Sequence, residues 1–366
     1  MWDWLTSSTN STKMAGQSAA AKLSFKILGW CMIVFGGLCG VLALIFTVVK
    51  NPRTAFKKTP RDVPPKCLQD SSLGSHEYVR ANGIKFHYVC AGDKSKPLML
   101  FLHGFPEFWF SWRYQMNEFS KDFRVVAIDM RGYGETERPP NKLDYTFSKL
   151  KQDIVELVPA LGYSKCTLVS HDWGGVVAWR VLSRYPELIE RFIVMNCPHP
   201  KVYAMKLAKD WKQLFMSWYI FMFQIPKLPE LIISMNDFET MKGMFINGTK
   251  NPDNFPPEVL KAYLYTFAQP GALTAAINYY RCMFKTEKSK ATDTTPPPKK
   301  IEVPCLVIWG DDDTALSHDM ADMHEAVVAN LTVKHIPNCS HWVQQDAPET
   351  VNQYMSEFLA DSIASR

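Results

Sequence analysis

The chain has 366 residues, 47% of them hydrophobic, 13% aromatic and 21% charged, with a formal net charge of +5. That composition excludes a disordered or low-complexity protein and supplies enough apolar residues for one large core or two smaller ones. It also argues against a nucleic-acid binder, because the positive excess sits beside one apolar segment and leaves residues 67–366 slightly acidic, where such a binder concentrates its charge on the folded body.

Residues 27–49 carry no charge. As a helix rising ~1.5 Å per residue, they are long enough to cross a hydrocarbon layer of ~30 Å. A cleaved signal peptide has a shorter apolar run ending at small residues, whereas this one ends in Lys50, Asn51 and Pro52. The expectation is a single-pass transmembrane helix after a tail of residues 1–26. Gly36 and Gly40 form one G-x-x-x-G, a spacing compatible with helix pairing in a homodimer. The downstream flank carries Lys50, Arg53, Lys57, Lys58, Arg61 and Lys66 against Asp62, and the upstream tail only Lys13, Lys22 and Lys26 against Asp3. The positive-inside rule then puts the body in the cytosol, with the endoplasmic reticulum as the expected membrane. Basic residues there also gain from anionic lipid, so membrane lipid is an expected partner. Sequons at Asn247, Asn330 and Asn338 point the other way, towards a lumenal body. The nine cysteines show no C-x-x-C pair and read as mostly free thiols on a reducing side.

A Pro- and Lys-rich linker, residues 50–74, leads into the body. HEYVRANGIKFHYVCAG reads as two strands around an Asn82-Gly83 hairpin turn. PLMLFLHG, FRVVAIDMRG and CTLVSHDWGG follow, each an apolar run ending in a glycine-containing loop, with helical segments between them. The alternation predicts a mostly parallel sheet with its ligands at the carboxyl ends of the strands. Near Cys197-Pro198-His199-Pro200 the rhythm breaks. Residues 199–300 read as a helical insert rich in Met, Phe, Trp and Tyr, closed by a polar loop, after which VPCLVIWGDDD, LTVKHIPNCSHW and a C-terminal helix resume the core. The predicted architecture is an α/β core, residues 75–198 and 301–366, with a helical lid.

Strand-end loops supply Asp172, Asp313 and His341, the order nucleophile, acid, histidine of the α/β-hydrolase arrangement, with S-x-D-x-G as a strand-to-helix nucleophile elbow. Each alone has a plainer explanation: Asp172 as a helix cap, Asp313 as one of three solvated acids, His341 as a surface histidine with His335 as its rival. The ordered trio, with His103-Gly104-Phe105-Pro106 upstream, favours catalysis. An aspartate of unperturbed pKa ~3.9 is ionised at neutral pH and attacks without a base. Displacement at a saturated carbon leaves an ester on Asp172, which water activated by His341 and Asp313 would hydrolyse. The resulting oxyanion needs amide donors, for which Phe105 and Trp173 are the candidates. A halide leaves as an anion and needs only N–H donors or positive charge. An epoxide oxygen leaves more easily with a proton donor, and a tyrosine of pKa ~10 can serve.

HGFPEFWFSWR, DMRGYGET, SHDWGGVVAWR and SHW resemble the α/β-hydrolase epoxide hydrolases, most closely the membrane-anchored animal members, from about residue 74 onwards. The resemblance implies two lid tyrosines on the epoxide oxygen. SWYIFMFQIP places one at Tyr219 and INYYRCMF the other at Tyr280, with Tyr279 adjacent. The acid's segment, Gly310-Asp311-Asp312-Asp313, departs from the family's Gly-Glu-x-Asp and leaves Asp313 ahead of Asp312. An aspartate followed by tryptophan also occurs in haloalkane dehalogenases, the alternative chemistry, and a non-catalytic binding protein on the same fold is a third reading. Trp211, Phe215, Met216, Trp218, Phe221 and Met222 would give an apolar pocket suited to lipid or foreign epoxides. No metal motif or phosphate loop is present, and neither reaction needs a cofactor beyond water.

Overall fold

The computed structural model describes residues 19–285 and 300–364, so most of the N-terminal tail and of the polar loop expected to close the insert lie outside the described residues. Helix α1 (Ala19–Lys50) contains the apolar stretch Ile27–Lys50, long enough to cross a membrane. Strands β1 (Ser75–Ala81) and β2 (Ile84–Ala91) pair antiparallel through Asn82 and Gly83, whose φ angles of 47° and 73° supply the twist of a two-residue hairpin turn. β3 (Leu98–Leu102), β4 (Arg124–Ile128), β5 (Cys166–His171), β6 (Ile189–Met195), β7 (Cys305–Gly310) and β8 (Leu331–Ile336) complete an eight-stranded sheet in the order β1-β2-β4-β3-β5-β6-β7-β8. β2 meets β4 antiparallel, and every later pairing is parallel.

Every residue of β3, β5 and β7 is buried, as in a parallel sheet covered on both faces, and this explains why they read as unbroken apolar runs. β6 is the least legible of the strands in the sequence. Its Ile-Glu-Arg start interrupts the apolar pattern, because Glu190 is exposed at the strand's outer end while Phe192–Met195 are buried.

Helices α2 (Arg113–Phe119), α3 (Phe147–Ala160) and α4 (Asp172–Arg184) connect these strands. After β6 the chain leaves the sheet for the lid, whose described residues form α5 (Pro200–Leu207), α6 (Trp211–Met216), α7 (Trp218–Met222), α8 (Leu228–Ile246), α9 (Pro257–Ala268) and α10 (Ala272–Met283). It returns through β7 and β8 and ends in α11 (Val343–Asp346) and α12 (Pro348–Ala364). Helix α8 is broken in its middle, where Asn236, Asp237 and Phe238 take left-handed φ of 48°, 56° and 65°. None of the nine cysteines is bonded to another.

α3 shows how core and lid are joined. Leu150, Ile154, Leu157 and Val158 repeat at helical spacing and are buried, and Asp153 is buried among them. The Asp153 carboxylate takes two hydrogen bonds from Arg131, at 2.7 and 2.5 Å, and one from Asn82 Nδ2 at 2.7 Å. Arg131 in turn offers its carbonyl to the Tyr279 hydroxyl of α10 at 2.8 Å. This buried pair therefore fixes the loop on which α10 rests. Replacing Arg131 by Ala leaves a buried carboxylate without its cation, an expected loss of about 3–5 kcal/mol. The midpoint of denaturant unfolding in detergent checks it, and a midpoint unchanged from the parent would refute the assignment.

Candidate active site

β5 ends at His171, and Asp172 begins α4 with φ 46°, a left-handed conformation that a residue with a side chain keeps only when its surroundings impose it. Two glycines allow the fit. A Cβ on Gly104 would lie 2.4 Å from the Asp172 Cβ, and one on Gly174 would lie 2.1 Å from the Leu102 carbonyl oxygen. The elbow thus presses against the loop after β3, where the Phe105 amide donates to Asp172 Oδ1 at 2.8 Å. Trp173 is the next residue on α4. Among the described residues its amide makes no hydrogen bond to that carboxylate, and its ring lies edge-on to Tyr280 with centroids 4.8 Å apart.

His341, in the loop after β8, brings Nε2 to 3.7 Å from Asp172 Oδ2. Its Nδ1 is 2.7 Å from Asp313 Oδ2, which also accepts Asn196 Nδ2 at 2.7 Å, while Asp313 Oδ1 accepts the Ala315 and Leu316 amides at 2.7 and 3.0 Å. Burial favours a neutral His341, but the charge and hydrogen bond of Asp313, with the charges of Asp172 and Glu107, outweigh it and push the pKa up to about 9. Burial by itself would raise the Asp313 carboxyl, yet His341 and Asn196 hold it below the usual carboxylate range. The rivals are engaged elsewhere. Asp312 pairs with Lys250 at 2.9 Å at the surface, and His335 with Asp311 at 2.6 Å.

Tyr219 on α7 and Tyr280 on α10 approach from the lid, their ring centroids 6.0 Å apart. Tyr280 also packs edge-on against Phe105 at 5.4 Å and Phe223 at 4.8 Å. Burial first, and the nearby Asp172 charge second, raise both phenols well above their usual value, so both stay protonated. The neighbour Tyr279 instead spends its hydroxyl on the Arg131 carbonyl. A register one residue off would select a hydroxyl already bonded to the core, since consecutive helical residues point in different directions.

The structure places Trp218, Phe221 and Met222 away from this centre. Trp218 is 38% exposed, Phe221 joins Met32 and Leu214 in a separate apolar cluster, and Met222 lies against Gly36 of α1. Phe223, one turn on from Tyr219, takes the inward position, facing Phe105 at 5.6 Å.

A buried scaffold lies within the same motifs. Glu107 of HGFPE accepts hydrogen bonds from His171 Nδ1, Gln344 Nε2, Gln345 Nε2 and the Gly104 amide. His171, the residue before the nucleophile, reaches the His341 carbonyl through Nε2 at 2.8 Å. Burial would raise the Glu107 carboxyl, but His171 and His103 keep it low and charged. One buried carboxylate thus ties together the three loops that carry Phe105, Asp172 and His341. A glutamate following Phe-Pro in a run otherwise so apolar was the signal available. Outside this centre, His76, His87 and Glu135 also cluster, but hydrogen bonds to Leu68, Asp129 and Tyr78 already engage them.

A family model described as the alpha/beta hydrolase fold matches residues 97–348. The chain is 42% identical to epoxide hydrolase 4 of Homo sapiens, over 92% of this chain and 94% of that protein, and 41% identical to epoxide hydrolase 3 of Xenopus tropicalis, over 91% and 92%. The crystal structure of Bacillus megaterium epoxide hydrolase in complex with an inhibitor superposes with a TM-score of 0.71 at 33% identity, covering 78% of this chain and 100% of that one. With an aspartate at the elbow and a histidine–aspartate pair facing it, the chain belongs to the α/β-hydrolase family and, within that family, to the epoxide hydrolases.

Proposed function

We propose that the protein converts apolar epoxides, lipid epoxides foremost, to vicinal diols through an ester on Asp172. The observation that carries this reading is the Asp172 carboxylate itself, with the Phe105 amide on one oxygen and His341 Nε2 3.7 Å from the other. Asp172 attacks a ring carbon, the carbon–oxygen bond breaks, and Tyr219 or Tyr280 gives its proton to the leaving oxygen. The aromatic surroundings of the two phenols favour an apolar substrate. The packing of Trp173 on Tyr280 supports a site built around a phenol rather than a halide.

The high pKa of His341 gives the two steps an order. While Asp172 is ionised, His341 is held as the cation and is no base. Esterification removes the Asp172 charge and the pKa of His341 falls, so the cation gives its proton to the tyrosinate left by ring opening and the neutral imidazole can take a proton from water attacking the ester carbonyl carbon. The Phe105 amide, with the Trp173 amide, would hold the oxyanion. Collapse expels the diol oxygen, which takes the proton from His341, and the Asp172 carboxyl, now holding one oxygen from water, gives its own proton to His341, so that carboxylate and imidazolium are both restored. We infer further that α1 anchors the body to the cytosolic face of the endoplasmic reticulum, where epoxides dissolved in lipid are close at hand.

Replacing His341 by Gln removes the water activator and should trap the ester. After exposure to a mixture of an apolar epoxide and a chloroalkane, intact mass and peptide mapping should show the whole epoxide added at Asp172. A gain equal to the chloroalkane less HCl would make the protein a dehalogenase. Asp172→Asn should cost on the order of 10³-fold or more in turnover, an effect to which a non-catalytic binding protein is indifferent.

Asp172→Asn also predicts a titration shift. The raised pKa of His341 contributes stability that is fully present below pH ~6.5 and is lost as pH rises through about 9. Without the Asp172 charge that window should narrow from its upper end. Histidine NMR titration of the variant should show a lower His341 pKa, and a value unchanged from the parent would contradict the proposed order of steps.

Tyr280→Phe should slow ester formation by about 10²-fold or more, the usual range for losing a positioned proton donor. Tyr279→Phe should leave that rate within about 2-fold of the parent while costing about 1 kcal/mol of stability through the lost bond to Arg131. Rapid-quench kinetics and unfolding midpoints separate the two, and reversed effects would move the role to Tyr279.

A further inference from the structure

Gly36, Gly37 and Gly40 turn one face of α1 towards the lid. A Cβ on Gly40 would meet Leu228 Cδ2 at 3.0 Å and Ile232 Cδ1 at 3.1 Å, and one on Gly37 would meet Ile225 Cδ1 at 2.7 Å. Those obstacles are ends of side chains. At Gly36 the obstacle is the backbone nitrogen of Met222, 3.0 Å away, which no rotamer change can move aside. The face that the G-x-x-x-G spacing offered to a second copy is thus occupied by α7 and α8 of the same chain. Met32, one turn earlier on α1, extends the contact to Leu214 and Phe221.

The helix seated on that face, α7, carries Tyr219. With only five residues it has too few internal hydrogen bonds to hold its own direction. Its inner side is tied to the other catalytic helix, since Gln224 Nε2 donates to the Tyr280 carbonyl at 2.9 Å and Arg281 donates to the Phe223 and Ile225 carbonyls at 3.1 and 2.9 Å. Its outer side rests on α1. A second clamp follows the helix: the Ala55 and Lys57 carbonyls accept the Asn236 and Asp237 amides, and Arg61 makes two 2.8 Å bonds to the Asp237 carboxylate. These contacts fall on the left-handed break of α8, a conformation kept only when neighbours impose it.

We propose that α1 is a positioning element of the active site as well as an anchor: its glycine face seats α7 and thereby sets the Tyr219 phenol against the leaving epoxide oxygen, with Gly36 as the positioning residue. The proposal rests on the ester mechanism above and makes a distinction within it. Tyr219 acts while the carbon–oxygen bond breaks. Once the ester exists, water, His341 and the amide donors complete the reaction without it. Disturbing the α1–α7 seam therefore slows ester formation and spares ester hydrolysis, a split that general damage to the fold would not give.

The test uses the full chain in lipid nanodiscs, with single-turnover rapid quench and intact mass following the rise and decay of the ester from an apolar epoxide. Gly36→Leu should slow the rise by on the order of 10-fold or more, since misplacement of about 1 Å at a reacting group can cost more than that, and should leave the decay within about 2-fold of the parent. Gly36→Ala should slow the rise by less, and Leu38→Val, on the exposed face of the helix where Leu38 is 61% exposed, should change neither rate. Gly36→Ala keeps the test available if the leucine variant does not fold. A parental rise rate in the glycine variants, or equal slowing of rise and decay, would overturn the proposal. Failure of the unmutated protein to form an ester at all would instead overturn the parent mechanism and this proposal with it.

Discussion

The Asp172 carboxylate accepts the Phe105 amide hydrogen at 2.8 Å, and the rest of the site is arranged around that contact. It requires the loop after β3 and the start of α4 to approach within a distance that only glycine permits at positions 104 and 174. It also requires Asp172 to accept a left-handed backbone, which the parallel β3–β5 pairing holds in place. A carboxylate presented in this way has one oxygen held by a fixed dipole and the other directed at His341. Such preorganisation costs nothing at the moment of reaction, because it is built into the fold.

Charge decides how the held carboxylate is used. Asp172, Asp313 and Glu107 surround His341, and together they overcome the penalty of burying its cation. A histidine tuned this high is a poor base until one of those charges is neutralised, and under the proposed mechanism esterification of Asp172, 3.7 Å from Nε2, would do so. Glu107 serves a different end. Fully buried and bonded to His171, Gln344 and Gln345, it fixes the relative positions of the loops, which is why a third carboxylate is tolerated so close to the nucleophile.

The two phenols come from separate lid helices, so their spacing depends on how the lid is held. α10 is held from the core through Tyr279 and the Arg131–Asp153 pair, and α7 from the opposite side by α1. The lid is therefore gripped between the sheet and the helix suited to the membrane.

The sequence by itself was enough for the sheet's alternation, the hairpin at Asn82-Gly83, the elbow at Asp172 and the apolar α1, because each depends on local pattern: periodicity, turn chemistry or an unbroken uncharged run. The order of Asp172, Asp313 and His341 along the chain was legible for the same reason, since a strand-end loop is visible before its neighbours are known. The sequence already ranked Tyr280 over Tyr279, Asp313 over Asp312 and His341 over His335, and the tertiary structure adds the partner that each of these side chains reaches across the fold. The tertiary structure also moved Trp218, Phe221 and Met222 off the site, turned Phe223 inward, and gave the glycine face of α1 to the lid. Residues in an aromatic helical run look alike in sequence. The direction each one faces is fixed by what packs against the helix, and for α7 that includes a segment more than 180 residues away.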